Sequence, residues 1–354
     1  MQEVIRIEPR AVSAWSVLAQ CYDDMKQDGK ALQLRIMAAH LRHDADEWER
    51  LATQSRGLGL NQQALYCYRK LSSLDPTNVS AWWERATISK QIGNIKTARH
   101  AYMTILKYVP HDLTVLSELR TILIELGDFR TCATLFQQAF DHYQITFPTG
   151  SGTISSSNPA SDTPISGAGF TLLEILVLAD LYNTLGEHEN AIQVIKKGSR
   201  WLQGRADQRY WNIVADDREF DLSEFADSSR RVSEAGASTI ESGRYFIDVN
   251  ARHRLAVARI KLGDIEEGKM HADVVLNQDV LDYAPLFAEI ADAYFEKELW
   301  AEARPVYELL GSDESTSSLY ILLQTAACLR MLGELRDAAE VYEHSQFSVS
   351  GLSH

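Results

Sequence analysis

Residues 79–112 read VSAWWERATISKQIGNIKTARHAYMTILKYVPHD, and they have the pattern of two short helices joined by a tight turn. Apolar residues recur at helical spacing on both sides of Gly93. A glycine there favours the left-handed backbone that ends a helix, and Pro110 stops the second helix. The residues expected to pack the two helices together are Trp82, Ala86, Ala98 and Tyr102. This stretch therefore predicts a helical hairpin.

The same pattern returns along the chain with a period of 33 or 34 residues. Trp15, Trp48 and Trp82 are spaced by that period, as are Pro76 and Pro110. A period of this length with these residues is typical of the tetratricopeptide repeat (TPR). Eight copies can be aligned, at 12–44, 45–78, 79–112, 113–146, 172–205, 249–282, 284–317 and 319–352. The predicted fold class is all-α, a TPR superhelical solenoid in two blocks interrupted by a disordered linker and a partly helical insert.

Two stretches interrupt the period and set the predicted domain boundaries. Residues 148–169 hold 16 Ser, Thr, Gly or Pro among 22, a composition that cannot bury a core. The predicted domains are a first TPR block with the end of one further repeat (1–146), a flexible linker (147–170), one TPR (171–205), an acidic-aromatic insert (206–248) and three further TPRs (249–354). Because neither end has a polar capping helix, a piece of a longer protein is expected.

The insert at 206–248 is acidic but rich in large apolar side chains. It carries Tyr210, Trp211, Ile213, Phe220 and Phe225, too many for a free linker. Two interpretations remain open, namely short helices packed on the array and a segment that folds onto a partner. Its carboxylates lack the spacing and the glycine of a calcium-binding loop, so they are interpreted as a solvated acidic segment. These carboxylates are Asp216, Asp217, Glu219 and Asp221.

Charge is divided unevenly along the chain. The formal net charge is −14, with +2 in residues 1–140 and −16 in the remainder. The second part should repel a phosphate backbone and attract basic partners, so direct DNA contact is not expected to dominate. The four cysteines are scattered singly, which favours reduced, buried thiols. There is no apolar run long enough to span a bilayer, so no membrane contact is expected.

Catalytic motifs are absent from the sequence. It contains no phosphate-binding loop, no zinc-protease motif, no nucleophile elbow and no dinucleotide-binding fingerprint. We therefore predict a non-enzymatic chain with no catalytic residue, no cofactor and no metal site. His40 and His43 could hold a metal, but the favoured interpretation is a solvated helix end because no third ligand lies nearby.

Function in a TPR array resides in the inner face of each first helix, since those positions do not seal the repeat. Trp83 stands out there, because Trp82 already fills the packing position. It would either anchor a partner peptide or pack against the next repeat. Asp180, Asn183, Asp292 and Glu296 would line a more acidic groove suited to basic segments. The predicted groove residues are Glu49, Thr53, Arg56, Trp83, Thr87, Lys90, Gln91, Thr121, Glu125, Asp180, Asn183, Asp292 and Glu296.

Four stretches go beyond the general repeat and resemble the tau-131 family, the large TPR subunit of RNA polymerase III transcription factor IIIC. They are SAWSVLAQCYDDMKQDGKAL (13–32), LYCYRKLSSLDPTNVSAWWERATISKQIGNIKTARHAYMTILKYVPHD (65–112), FIDVNARHRLAVARIKLGDIEEG (246–268) and YAPLFAEIADAYFEKELWAEARPVYELL (283–310). The order of blocks is similar to the N-terminal TPR region of that family.

The resemblance implies a nuclear scaffold. In that family the TPR region joins factor IIIC to the initiation factor TFIIIB at small-RNA genes. The implied partners are other factor IIIC subunits, the TFIIB-related factor and SANT-domain subunit of TFIIIB, and RNA polymerase III as a further candidate. Two alternatives remain open, namely a generic TPR adaptor in another nuclear complex and a regulatory domain attached to an enzyme.

Overall fold

The computed structural model describes residues 2–148, 169–220, 245–313 and 315–350. Within these ranges the regular structure is helical and contains no strand. No described helix is long and apolar enough to cross a membrane. The α-helices are α1 (Gln2–Ile7), α2 (Val12–Asp24), α3 (Asp28–Arg42), α4 (Ala45–Gly57), α5 (Asn61–Leu74), α6 (Val79–Gln91), α7 (Ile95–Tyr108), α8 (Leu113–Glu125), α9 (Phe129–Thr146), α10 (Leu172–Thr184), α11 (His188–Leu202), α12 (Val249–Leu262), α13 (Ile265–Leu276), α14 (Val280–Glu296), α15 (Trp300–Gly311), α16 (Leu319–Leu332) and α17 (Leu335–Ser350).

From α2 onward, the described helices follow one another as eight pairs that match the eight predicted copies. We call α2, α4, α6, α8, α10, α12, α14 and α16 the first helices, and their followers the second helices. From α2 to α8 and from α10 to α17, each helix packs on the next one along the chain. The predicted all-α repeat fold is thus confirmed.

The turn inside each pair requires one residue with positive φ. Six of the eight described turns use glycine, as at Gly93 with φ +81°. The Gly93 N–H donates to Lys90 O at 3.0 Å, and the Asn94 N–H donates to Ser89 O at 2.8 Å. Lys26 and Glu298 adopt φ values of 56° and 60° in the other two turns. The turn geometry is therefore kept even where the glycine is lost.

The seventh pair begins earlier than predicted. Asp279 caps α14 by accepting a hydrogen bond from Leu281 N, so this helix starts four residues before the predicted copy at 284. Pro285 lies inside the helix, and the backbone leaves helical geometry at Tyr283. Since proline lacks the N–H that would bond to the preceding turn, a kink is expected just before it.

A hydrogen bond explains why tryptophan and proline recur together. The Trp82 indole N–H donates to Pro76 O at 2.9 Å, and Trp15 donates to Pro9 O at 2.8 Å. The repeat between them has no proline at this position, and there Trp48 packs its ring on His40 with centroids 4.9 Å apart. The tryptophan thus ties the start of a first helix to the preceding connection.

The chain divides into two compact units between Ala139 and Phe140, inside α9. In the second unit, Phe140 lies against the rings of Phe170 and Trp201, at 5.7 and 6.1 Å. These contacts explain why the last part of α9 belongs with the helices that follow. Most of the predicted linker, residues 149–168, lies outside the described residues.

The described parts of the insert pack on the second unit. Two short 3-10 helices, Arg209–Asn212 and Arg218–Phe220, follow α11. Phe220 is fully buried in the core shared by α10, α11 and α12, and Trp211 is buried as well. Residues 221–244, which include Phe225 and Asp221, lie outside the described residues.

The cysteine prediction is correct at three positions and wrong at one. Cys67, Cys132 and Cys328 are buried, and burial raises the pKa of each thiol to about 11. Cys21 is exposed instead, in the last turn of α2. A single apolar-like residue at the end of a helix can lie outside the core, and the sequence spacing did not show this.

Candidate functional site

The predicted groove residues of the first unit lie on α4, α6 and α8, and some of them join neighbouring first helices. Arg56 of α4 forms an ion pair with Glu84 of α6. Lys90 of α6 donates to the Glu118 carboxylate of α8 at 2.8 Å and to the Thr121 hydroxyl at 3.1 Å. These side chains therefore hold successive repeats together.

The predicted groove residues of the second unit show the same arrangement around α12. Arg254 donates to both carboxylate oxygens of Asp180 on α10, at 2.7 and 2.8 Å. Lys261 lies 2.8 Å from the carboxylate of Glu296 on α14. Cationic side chains of α12 thus form ion pairs with acidic residues of the preceding first helix, α10, and of the following one, α14.

Asp292 joins two repeats, whereas Asn183 makes a contact within its own repeat. The Tyr320 hydroxyl of α16 donates to Asp292 at 2.8 Å, and Tyr307 of the adjoining second helix donates to the same oxygen. Asn183 Oδ1 lies 2.9 Å from His188 Nδ1 across the turn between α10 and α11. Asp292 therefore links the seventh and eighth helix pairs, and Asn183 supports its own pair.

Trp83 is only partly buried. Its ring lies edge-on to Tyr102 of the second helix in the same repeat, with centroids 5.4 Å apart. Its carbonyl accepts a hydrogen bond from Thr87 at 3.0 Å. Four exposed predicted residues have no ion pair or hydrogen bond to a neighbouring first helix within the described ranges, namely Glu49, Thr53, Gln91 and Glu125. These four and the open part of Trp83 remain available for contact.

The interpretation of the insert carboxylates as solvated is wrong for Asp217 and Glu219. Each has a relative exposure of 1%. Asp217 accepts from Arg259 Nη2 and Nε, both at 2.8 Å, and lies 3.0 Å from Lys196 Nζ and 3.1 Å from His271 Nε2. We call Asp217, Lys196, Arg259 and His271 the Asp217 cluster. It fastens the insert to α11, α12 and α13.

The charges of the Asp217 cluster are mutually stabilised. Burial alone would raise the pKa of Asp217, but hydrogen bonds from His271 and Arg259 and the charge of Lys196 hold it well below its usual value. Glu219 lies close to Arg205 and Arg200, at 3.0 and 3.4 Å. For Glu219 burial outweighs these cations, and its pKa is raised.

Composition alone could not reveal the Asp217 cluster. The bonding partners of Asp217 lie between 20 and 60 positions away along the chain, on three different helices. One feature of the sequence could have indicated burial of these carboxylates, namely their position between Trp211 and Phe220. When the aromatic rings of a segment are buried, the charged residues next to them are brought into the interior as well.

Asp217, Glu267 and His271 bring three possible metal-ligand atoms within 4.8 Å of one another. Arg259 and Lys196 already place two positive charges within 3.0 Å of the same carboxylate. A cation there would be repelled by both, so the group fits an internal ion cluster and not a metal site. His40, the other candidate, shares a 2.7 Å hydrogen bond with the Tyr66 hydroxyl.

Comparison with known proteins shows what this chain is similar to. A tetratricopeptide repeat model matches residues 175–201, and the CABIN1 N-terminal domain model matches residues 13–146. Transcription factor tau subunit sfc4 of Schizosaccharomyces pombe is 28% identical over 98% of this chain. General transcription factor 3C polypeptide 3 of Homo sapiens is 25% identical over 96%. The chain is similar to the tau-131 family.

The predicted resemblance to that family is therefore confirmed. The transcription factor tau 131 kDa subunit of Saccharomyces cerevisiae is 29% identical over 47% of the chain. The chain spans about a third of the length of the first two tau-131 relatives, 33% and 34%. Among solved structures, a tetratricopeptide repeat protein from Parabacteroides merdae is 14% identical, with a TM-score of 0.45 over 85% of this chain and 92% of its own.

Proposed function

We propose that this chain is a non-catalytic, nuclear TPR scaffold of RNA polymerase III transcription factor IIIC that recruits TFIIIB to tRNA and other small-RNA genes. The observation that carries the proposal is similarity to transcription factor subunits over 96 to 98% of the chain. The partners proposed are other factor IIIC subunits, the TFIIB-related factor and SANT-domain subunit of TFIIIB, and RNA polymerase III.

The first helices provide the surface for this role. A partner segment would lie across them and contact the exposed set Glu49, Thr53, Gln91 and Glu125 and the open part of Trp83. Arg56, Lys90, Thr121, Asp180 and Glu296 would act differently, because each is engaged with a neighbouring helix. Thr87, Asn183 and Asp292 would shape the surface by holding nearby side chains.

The test is a titration of this chain with the two TFIIIB subunits, followed by fluorescence anisotropy at several salt concentrations. Binding at micromolar affinity or tighter is the expected result. Trp83→Ala should weaken it by about tenfold if the ring is an anchor, since such anchors contribute 1–2 kcal/mol or more. Tyr108→Ala removes an aromatic residue 43% exposed on the second helix of the same repeat, and serves as the matched control.

Two outcomes would contradict the proposal. If neither subunit binds a chain shown to be folded by circular dichroism, the TFIIIB assignment is wrong and a generic TPR adaptor in another nuclear complex takes its place. If both substitutions weaken binding equally, Trp83 is not the anchor and the first helices are not the contact surface.

Deleting the whole insert is not a suitable test of its role in partner binding. Phe220 and Asp217 lie inside the second unit, so the deletion would remove part of its core. A weaker response of that variant to a partner would report unfolding. Point substitutions on the exposed surface avoid this problem.

A further inference from the structure

A cleft of about 640 Å³ lies in the second unit, away from the first helices. It is bordered by the end of α9, the end of α11 and the first short helix of the insert. Because α9 and α11 are second helices and the insert is a connection, none of the predicted groove residues lines the cleft.

The floor of the cleft is apolar and fixed in place. Trp201 is 1% exposed, and its indole N–H donates to Phe147 O at 2.7 Å. The rings of Phe140 and Phe170 lie 6.1 Å from it. At the rim, Ile145 is 81% exposed. A pre-formed apolar floor beside an open aliphatic side chain can receive an apolar side chain at little ordering cost.

The charged residues of the remaining lining are three cations, Lys197, Arg200 and Arg209, and one anion, Asp141. Lys197 and Arg209 are exposed, and within the described residues neither forms an ion pair. Arg200 lies in the wall, with only 4% of its side chain exposed. Its Nε donates to Lys196 O at 3.1 Å and lies 3.4 Å from the Glu219 carboxylate, and its Nη2 is buried. Arg200 is therefore part of the wall, and the exposed Lys197 and Arg209 are the cations that a ligand can reach.

This local excess of cations contrasts with its surroundings. Residues 141–354 carry a formal charge of −16. An extended polyanion such as nucleic acid would meet that charge over its whole length, whereas a short carboxylate-bearing segment would meet only the cleft. Charge complementarity therefore selects a compact acidic ligand.

We propose that this cleft is a second docking site that binds a short acidic segment of a partner protein. Carboxylates of the segment pair with Lys197 and Arg209, while a neighbouring apolar side chain lies against Ile145 at the rim above Trp201. This site is independent of the proposed function, because it uses none of the first-helix residues.

The test is a selection of random peptides, displayed on phage, against the whole chain and two variants. K197E/R209E reverses the two exposed charges of the cleft. K96E/K107E makes the same change in net charge on α7 and is the matched control. Circular dichroism verifies that all three proteins are equally helical.

The expected result is enrichment of peptides with Asp or Glu beside large apolar residues by the wild-type chain and by K96E/K107E. Synthetic copies of these peptides should bind K197E/R209E at least about tenfold more weakly, since two charge-assisted contacts are lost. Three results would overturn the proposal. They are no enrichment above background, enrichment of basic peptides alone, and equal binding of the selected peptides by K197E/R209E and the wild type.

Discussion

At the scale of single residues, the turn between the two helices of a pair depends on one residue with a positive φ. A Cβ added at Gly93 would meet no atom within 4 Å, so space is not the reason for glycine there. The reason is its φ of +81°, a value that residues with a side chain adopt at an energetic cost. Lys26 and Glu298 show that the array tolerates that cost in some repeats.

Gly93→Ala is expected to lower the free energy of unfolding by about 1 kcal/mol, because alanine must adopt left-handed backbone. Gly29→Ala is the control. It lies in α3 with ordinary helical φ and equally open surroundings, so it should raise stability by up to about 1 kcal/mol. Urea unfolding followed by circular dichroism measures both. Equal losses in the two variants would mean that φ is not the cause.

His253 provides a prediction of pH dependence. Burial is the main cause that lowers its pKa from 6.5 to about 3, and the charge of Arg254 adds to the effect. The unfolded chain therefore binds a proton that the folded chain rejects. Stability should fall as pH drops from 6.5 towards 3, by up to about 1.4 kcal/mol per pH unit from this group.

Measuring unfolding by urea between pH 4 and 8 tests this. His253→Leu removes the titrating ring, whose Nε2 lies 3.3 Å from the Glu289 carboxylate and whose nitrogens make no hydrogen bond within the described residues. The variant should have a shallower acid slope than the wild type and a parallel profile above pH 6.5. Identical slopes below pH 6.5 would contradict the role assigned to His253.

At the scale of elements, the helix pairs could be predicted from sequence to within a few residues. Glycine, proline and tryptophan mark their ends through backbone angle and hydrogen bonding, which are local effects. The packing of the insert could not be predicted in this way. Its charged residues are buried by helices distant in sequence, and neither composition nor spacing specifies such partners. That the proposed groove residues lie on first helices followed from the repeat pattern, but the sequence did not indicate which of their charges would pair.

The Asp217 cluster predicts a sharp difference between two adjacent carboxylates. Asp217→Asn leaves Lys196 and Arg259 buried without their full counter-charge and should cost about 3–5 kcal/mol. Asp216 pairs with Arg218 near the surface, at 2.6 Å with 18 to 22% exposure. Asp216→Asn should cost at most about 1 kcal/mol.

Hydrogen exchange with mass spectrometry locates the effect. In Asp217→Asn, the amides of residues 209–220 and of α12 should exchange faster, whereas in Asp216→Asn they should resemble the wild type. Comparable protection in the two variants would show that the insert is held by its aromatic residues alone.

At the scale of the whole molecule, the four cysteines report folding in both units. In the native chain, the exposed Cys21 should react first with a chromogenic thiol reagent at pH 8. Cys67, Cys132 and Cys328 are buried with pKa values raised to about 11, so they should react only on unfolding.

Mass spectrometry identifies the modified residue. Cys21→Ser should abolish the fast phase and leave the slow phase unchanged. A fast phase of more than one thiol would mean that one of the units opens readily under native conditions.

The ion pairs between first helices have a consequence for how a charged partner could bind. Asp180 and Glu296 are already neutralised by Arg254 and Lys261 of α12. A basic segment that contacts them must take the place of an internal cation, so one pair is exchanged for another. Such an exchange leaves the number of ion pairs on this face unchanged, so the local gain in electrostatic energy is small. The negative charge of residues 141–354 would bring a basic segment near, but selectivity on this face would depend on how well the released α12 side chain is accommodated.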